Sequence, residues 1–368
     1  QLFENNIYKS DPTTNNTNRY EILLFDMNDF SNRTDLDRLE ELFLQYDHKK
    51  LSIKLGRQAF DSPLLNEQDN RMRENLYGGI SANYRWKDWK FIGAAFDHVT
   101  IRGTVDWYSI EESFGVYPFG RNPFGTASEY KGNIETLGIG VLGAKYNNGR
   151  RSAQIWNYHT DNVFNLTFGQ VIEKWEWKDY KMQAGVEGFY QTAIVDGGNP
   201  DPKKAFILPD ESTFAIGGTL GVKKKANKFS LNYLHISDQG RFLFPREWGR
   251  ERFFASLPRE RFEGSGAVDA LMLKYTYHKD NSPWTFELGA STVNHAKLDA
   301  YEHNKYGVPS YYHFVGMVDY KFKGYLEGMD LKFLVAQKTA KNPGDIPDQF
   351  RINRVDLWNF NVIVDYRF

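Results

Sequence analysis

Cysteine is absent from all 368 residues, which excludes disulfides, thiolate metal centres and cysteine nucleophiles. Net charge is nearly absent as well. Forty-six basic residues against 47 acidic leave −1, so no global field draws nucleic acid or an anionic lipid surface, and any electrostatic function is local. No stretch approaches the roughly 18 apolar residues that a membrane helix requires. The eight histidines contain no H-x-x-x-H pair, so a helical zinc site is unsupported, and neither a metal nor a cofactor is expected. The opening Gln1-Leu2-Phe3-Glu4-Asn5-Asn6 lacks a basic region followed by an apolar one, so a secretory signal is expected to be either already removed or outside this stretch.

What the chain does have is aromatic residues, 16% of the total, in a sequence whose mean hydropathy is only −0.60. That pairing suits strands that are polar on one side and apolar on the other. The last stretch shows it most plainly: Trp358, Phe360, Val362, Val364, Tyr366 and Phe368 alternate with Asn359, Asn361, Asp365 and Arg367. In a strand those two sets point to opposite faces. A transmembrane β-barrel has that character, with lipid on its outer face and water within.

Similar alternation recurs along the chain and predicts strands near 20–28, 38–48, 50–58, 76–86, 89–101, 132–147, 151–159, 164–176, 179–193, 213–225, 228–238, 267–278, 283–295, 311–323, 328–339 and 356–368. Most have the length of a tilted membrane-crossing strand. Short polar turns such as Trp86-Lys87-Asp88-Trp89 and Asn147-Asn148-Gly149-Arg150 alternate with mostly long connections near 102–131, 194–212, 239–266, 296–309 and 340–354. Sorting of loop length by parity is the habit of an up-and-down outer-membrane barrel. Aromatics flank the short turns, as Tyr84, Trp86, Trp89 and Phe91 do, at the depth of lipid headgroups. The expected fold is therefore all-β: one transmembrane up-and-down antiparallel β-barrel spanning residues 1–368, with about 16 visible strands.

Three separated stretches, Gly56-Arg57-Gln58 through Ser62-Pro63 to Asp69-Asn70-Arg71-Met72, Arg246-Glu247-Trp248-Gly249-Arg250 through to Val268-Asp269-Ala270, and Val362 to Tyr366, together resemble the OprD family of outer-membrane porins. Ile53 to Met72, with Gly56-Arg57-Gln58, Ser62-Pro63 and Asp69-Asn70-Arg71-Met72, is similar to that family's constriction loop. Arg246-Glu247-Trp248-Gly249-Arg250 through Leu257-Pro258-Arg259-Glu260-Arg261-Phe262-Glu263-Gly264 to Val268-Asp269-Ala270 is similar to its seventh extracellular loop. Val362 to Tyr366 is similar to its closing strand. The resemblance implies eighteen strands, with the constriction loop after the fifth, whereas here that loop follows the third expected strand. Two strands then precede Gln1, or residues 1–18 hold one more. It also implies a basic ladder along the bore and passage of small carboxylate-bearing solutes.

A barrel this wide leaves an aqueous channel whose selectivity depends on what narrows and charges it. The segment 59–75 is the expected inward constriction, offering Asp61, Ser62, Asn70, Arg71 and Arg73 to a solute. Strand parity turns His313, Lys54, Arg85, Lys274, Lys321, Lys323, Lys332, Lys338 and Arg367 inward, the lysines of the later strands forming a basic column. Glu187, Glu287, Asp319 and Asp365 supply acidic counterparts; mutual lumen salt bridges are the plainer alternative. In 239–266, Arg241, Arg246, Arg250, Arg252, Arg259 and Arg261 outnumber Glu247, Glu251, Glu260 and Glu263, which suggests a funnel for anions. The acidic interleaving argues against nucleic acid.

Two signals are set aside. Gly138-Ile139-Gly140-Val141-Leu142-Gly143 matches G-x-G-x-x-G, but no helix follows to hold a pyrophosphate, and the glycines instead relieve crowding or allow bending in the wall. Asp97-His98 would be a dyad only if adjacent strand residues shared a face, which ordinary pleating forbids. The reading is of a passive channel, not an enzyme. Its surroundings would be the lipid bilayer and lipopolysaccharide of a Gram-negative outer membrane, its partners small solutes, and its state a monomer or weak homo-oligomer. The alternative is a barrel that scaffolds or is plugged by an envelope protein.

Overall fold

The structure, a computed structural model, describes residues 37–68, 73–351 and 353–367. Its strands are β1 (Leu42–His48), β2 (Leu51–Gln58), β3 (Leu76–Trp86), β4 (Trp89–Thr100), β5 (Tyr108–Ser109), β6 (Ile139–Asn147), β7 (Arg151–Thr160), β8 (Phe164–Trp177), β9 (Tyr180–Ala193), β10 (Ser212–Lys224), β11 (Asn227–Ile236), β12 (Val268–His278), β13 (Trp284–Asn294), β14 (Tyr311–Lys321), β15 (Met329–Ala340) and β16 (Leu357–Tyr366). They form one antiparallel up-and-down sheet in chain order, with the two-residue β5 pairing β4 off the path. Among the described residues no pairing joins β1 to β16. The expected strand 20–28 and residues 1–18 lie outside the described residues.

The strands stop where local chemistry stops them. The expected strand 38–48 begins only at Leu42, because the Arg38 guanidinium donates to the carbonyls of Ile101 and Thr104 at 3.4 and 3.3 Å, holding the segment against a loop. The expected 132–147 begins at Ile139. Before it, Asn133 N donates to Tyr130 O at 3.0 Å across a turn in which Gly132 takes φ 71°. The short β5 and the helical turn α1 (Ile110–Ser113) were not foreseen.

Connections sort by parity. At one rim lie the turns 49–50, 87–88, 178–179 and 225–226, whose first residues Lys49, Lys87, Lys178 and Lys225 all take φ between 52° and 57°. Positive φ belongs to the primed turns that match strand twist. At the other rim lie 59–75, 101–138, 194–211, 237–267, 295–310 and 341–356, with 161–163 the single short member.

Side-chain alternation separates two faces as well. Leu142, Leu220, Leu288 and Val362 are exposed on the outer face, 67%, 62%, 59% and 69% respectively, while Val141, Phe189, Leu234 and Ala270 are buried on the inner one. Near the short-turn rim, Trp86, Trp89, Trp175, Trp177 and Trp284 stand exposed on the outside, as an interfacial aromatic girdle does. No helix among the described residues is long and apolar enough to cross a membrane. An outer surface of this kind is made for acyl chains.

The β3–β4 pairing corrects one reading of the sequence. Gly78 opposes His98 while Gly79 opposes Phe96, so Asp97 is an extra residue in a bulge. A bulge lets consecutive residues share a face, and Asp97 Oδ1 lies 3.0 Å from His98 Nδ1. Ser109, opposite His98, is occupied: its hydroxyl accepts from Glu112 N at 3.1 Å as the N-cap of α1. Two of the glycines of 138–143 relieve crowding, since a Cβ on Gly143 would stand 2.4 Å from the Trp156 ring and one on Gly138 2.4 Å from Phe96 O, whereas Gly140 would meet only His159 O at 3.9 Å.

Candidate constriction and inner wall

Loop 59–75 is shaped by its own polar groups. Ser62 N and Oγ both donate to Leu65 O, at 2.9 and 2.7 Å, and Ser62 Oγ accepts from Leu65 N at 3.1 Å. Tyr158, an inward residue of β7, donates to Ser62 Oγ at 2.9 Å and accepts from Leu64 N at 3.3 Å. Residues 59–68 of the loop therefore lie inside the sheet, with Leu64 and Leu65 buried. These bonds change the role of two expected solute ligands. Ser62 is 1% exposed and Arg73 is 4% exposed, so both belong to the packing of the loop and neither faces the bore. Asn70 and Arg71 lie outside the described residues.

Loop 237–267 folds inward to meet it. Asn66 Nδ2 donates to Arg250 O at 2.8 Å, Arg250 N donates to Asn66 Oδ1 at 3.2 Å, and Asn66 N donates to Trp248 O at 3.3 Å. Trp248, fully buried, donates from Nε1 to Ser113 Oγ at 2.8 Å. The two backbones approach so closely that a Cβ on Gly249 would lie 2.2 Å from Leu64 O. Farther along, Leu257 packs with Met272, Val315, Leu334 and Ala336 on the inner wall.

The arginines of this loop do not make the expected open funnel. Arg241 is buried and donates to Arg121 O and Tyr301 O at 3.1 and 3.3 Å. Arg246 pairs with Glu263 at 2.6 Å and lies over the Tyr306 ring at 3.6 Å. Arg250 donates to Leu257 O and Glu260 O, and Arg261 to Gly249 O. Buried charge demands such partners, so these four guanidinia bind the loop to itself and its neighbours. Burial alone would raise the Glu263 carboxyl, but Lys305 and Arg246 overcome it and hold Glu263 below the usual carboxylate range. Glu247 has no such help at close range: burial pushes it up to about 7 while its Oε1 accepts from Tyr117 N at 3.0 Å. Only Arg252 and Arg259 are exposed, and Arg259 bonds Asn361 on β16.

Arg252 and Asp61, each from one of the inward loops, form a 2.7 Å ion pair with both side chains 54% exposed. The wall beside them carries a row of cations in register: Arg85 on β3, Lys90 on β4 and Lys145 on β6. Asp61 lies within electrostatic reach of both lysines. The row continues as Gln154, Gln170 and Glu187. Gln154 Nε2 donates to Gln170 Oε1 and Gln170 Nε2 to Glu187 Oε2, each at 2.9 Å, and Glu187 Oε1 accepts from Phe254 N at 2.6 Å. Glu187 is thus an anchor for the loop, 4% exposed, and not a counter-charge in open water. The sequence reading missed Lys90 and Lys145, although parity with the outward Phe91 and Leu142 would have identified both.

The expected ladder is interleaved with acids. Lys274 pairs with Glu287 at 2.8 Å; Lys332 stands opposite Asp319, Lys321 opposite Asp330, and Asp330 opposite Asp365. Lys54 lies over the Phe43 ring at 4.1 Å. Lys338 lies over Tyr311 at 4.5 Å, beside the buried Glu260, whose Oε1 accepts from Tyr311 at 3.0 Å and lies 3.3 Å from His313 Nδ1. Lys323 and Arg367 fall beyond the ends of β14 and β16, at the short-turn rim. There Lys323 Nζ donates to Asn281 O at 3.1 Å and Arg367 N to Gly328 O at 2.9 Å.

A sheet of this order, apolar outside and charged within, defines an outer-membrane-type β-barrel. No family model and no curated protein matches the chain. Solved structures do, and they are OprD-type outer-membrane barrels. Pseudomonas aeruginosa OccK9 (OpdG) matches with TM-score 0.69 and 14% identity, over 88% of this chain and 74% of that one. Acinetobacter baumannii OccAB4 matches with TM-score 0.67 and 15% identity, over 88% and 73%. Pseudomonas aeruginosa OpdK, solved with vanillate, matches with TM-score 0.64 and 13% identity, over 88% and 77%. The fold of this chain is the fold of those proteins.

Proposed function

We propose that the chain is a porin of a Gram-negative outer membrane, through which small hydrophilic, carboxylate-bearing solutes diffuse passively. The observation that carries this reading is the exposed Asp61–Arg252 pair beside the Arg85, Lys90 and Lys145 row. A solute carboxylate can replace Asp61 on those cations, and a solute ammonium can be met by Asp61 itself. Opposite charges 4 Å apart attract by about 4 kcal/mol at an effective dielectric near 20. That suffices to orient a solute and is small enough to release it. The likeness to OpdK, whose structure holds the carboxylate vanillate, supports the same solute class.

Planar-bilayer recording tests it. Discrete open steps, reduced by millimolar benzoate or by amino acids, are the expected result. A silent bilayer would favour a barrel plugged for a scaffolding role, a reading for which the dense packing of the two loops around Trp248 speaks.

A further inference from the structure

Another group of inward cations lies on other strands than the cations of the constriction row, close to the short-turn rim of β8–β12. Register places Lys181 on β9 opposite Lys223 on β10, and Lys223 opposite Lys228 on β11. Lys174 on β8 and Lys274 on β12 lie one inward position deeper, opposite Gln183 and Ser230. Neighbouring strands are about 4.8 Å apart, so the three ammonium stems in the first row arise within roughly 10 Å. Like charges directly opposite one another on a sheet destabilise it. Among the described residues two carboxylates pair with these lysines: Glu176, 3.6 Å from Lys181, and Glu287, 2.8 Å from Lys274. Among the described residues Lys174, Lys223 and Lys228 make no ion pair, and Lys274, Lys174 and Lys223, with Glu287 opposing them, all lie within electrostatic reach of Lys228. Five lysines against those two carboxylates leave this group an excess of three positive charges.

The space before it is also open. Lys174, Lys181, Lys223 and Lys228, with one carboxylate, Glu176, and with Gln183 and Gly221, line a recess of about 500 Å3. Gly221 forms its floor, where a Cβ would stand 2.6 Å from the Gln183 side chain. Arg150, at the edge, is bound to Glu173 at 2.6 Å.

We propose that this recess binds a compact, multiply charged oxyanion of the phosphate type, a solute class that goes beyond the monocarboxylates of the channel reading on which the site depends for access. The set contains lysines and no free arginine. Arginine forks recognise planar carboxylates two bonds at a time, whereas lysines act as point charges that converge from several directions. Three ammonium groups on adjacent strands, with the Gln183 amide beside them, suit a dianion whose oxygens point outward all round. The ion relieves the repulsion among the lysines when it binds.

The test uses the whole chain in planar bilayers in KCl at pH 8, with inorganic phosphate added. Phosphate is expected to reduce the open current, and Lys223→Gln with Lys228→Gln to raise the half-blocking concentration roughly tenfold while block by benzoate is unchanged. Glycerol phosphate should block as phosphate does if the phosphate group is what is recognised. Equal block of the wild type and the double variant overturns the proposal, and citrate blocking as well as phosphate overturns the choice of ligand. Absence of open steps in KCl alone would sink the channel reading instead. Phosphate titration calorimetry on the detergent-solubilised barrel then decides the site: heat that the double variant loses supports it, and no heat from the wild type refutes it. If the double variant loses its strand signature in circular dichroism, Lys228→Gln alone replaces it.

Discussion

Asp61 and Arg252, 191 positions apart in sequence, meet at 2.7 Å, each side chain about half exposed. Exposed pairs of this kind contribute little to stability, typically below about 1 kcal/mol. Their value lies in the field they set beside Lys90 and Lys145. Asp61→Asn should therefore leave thermal unfolding nearly unchanged and make the pore more anion-selective, read as a shift of the reversal potential in a KCl gradient. A large loss of stability, with selectivity unmoved, would assign the pair to packing instead.

Removal of Lys90 and Lys145 together as glutamines should weaken anion selectivity more than removal of Lys321 and Lys332. The second pair stands opposite Asp330 and Asp319, so each lysine lost also frees a carboxylate's partner and the two changes partly offset. Equal reversal potentials for the two double variants would refute the ranking.

Asn66 ties the loops together through Arg250 and Trp248. Asn66→Ala leaves the buried Arg250 carbonyl and amide without their partner, at a cost of about 1–3 kcal/mol. Protease cutting within 237–267 should become faster, with the strands still intact. Unchanged cutting would mean that the packing of Trp248 alone holds the junction.

Gly249→Ala presses on the same junction from the other side. Its Cβ would lie 2.2 Å from Leu64 O, a backbone atom that cannot swing away. Overpacking typically costs about 1–3 kcal/mol. The unfolding midpoint should fall, and Gly221→Ala, which meets the movable Gln183 side chain, should lower it less.

Glu247 gives the loop a pH dependence. Burial raises its folded carboxyl to about 7 from the ordinary 4.5, so the folded loop prefers the protonated acid. Its contribution is fully present below about pH 4.5 and is lost as pH rises towards 7, by up to about 3 kcal/mol. Glu263, held low, works in the opposite sense and loses its contribution as pH falls through the acid range. Hydrogen exchange at the Tyr117 amide, which donates to Glu247, should be faster at pH 7.5 than at pH 5.5 after correction for intrinsic rates. Glu247→Gln should abolish that difference; persistence of the difference would exclude Glu247 as its source.

How much of this could be read beforehand depends on the range of the interaction. From 50–58 onward most expected strands recur within two residues of their observed ends, because alternation and turn chemistry are properties of a few neighbouring positions. The same rule gave the outward Trp358, Phe360 and Val362 and the inward Lys274, Lys332 and Lys54. It failed at Asp97-His98, where one extra residue against β3 cancels the alternation. It could say nothing about loops, where no period exists: Arg241 and Arg252 look alike in sequence, yet one is buried and the other half exposed.

The sequence by itself determined the sheet, its two faces and the sorting of turns from loops, since a strand's two faces are written every second residue and each strand pairs with the next. Which charges meet water was decided only by the tertiary structure. Asn66 and Arg250, or Asp61 and Arg252, become neighbours when two connections fold into the same bore, and desolvation then sorts one loop's arginines into four buried or half-buried struts and the exposed Arg252 and Arg259, of which Arg252 pairs with Asp61.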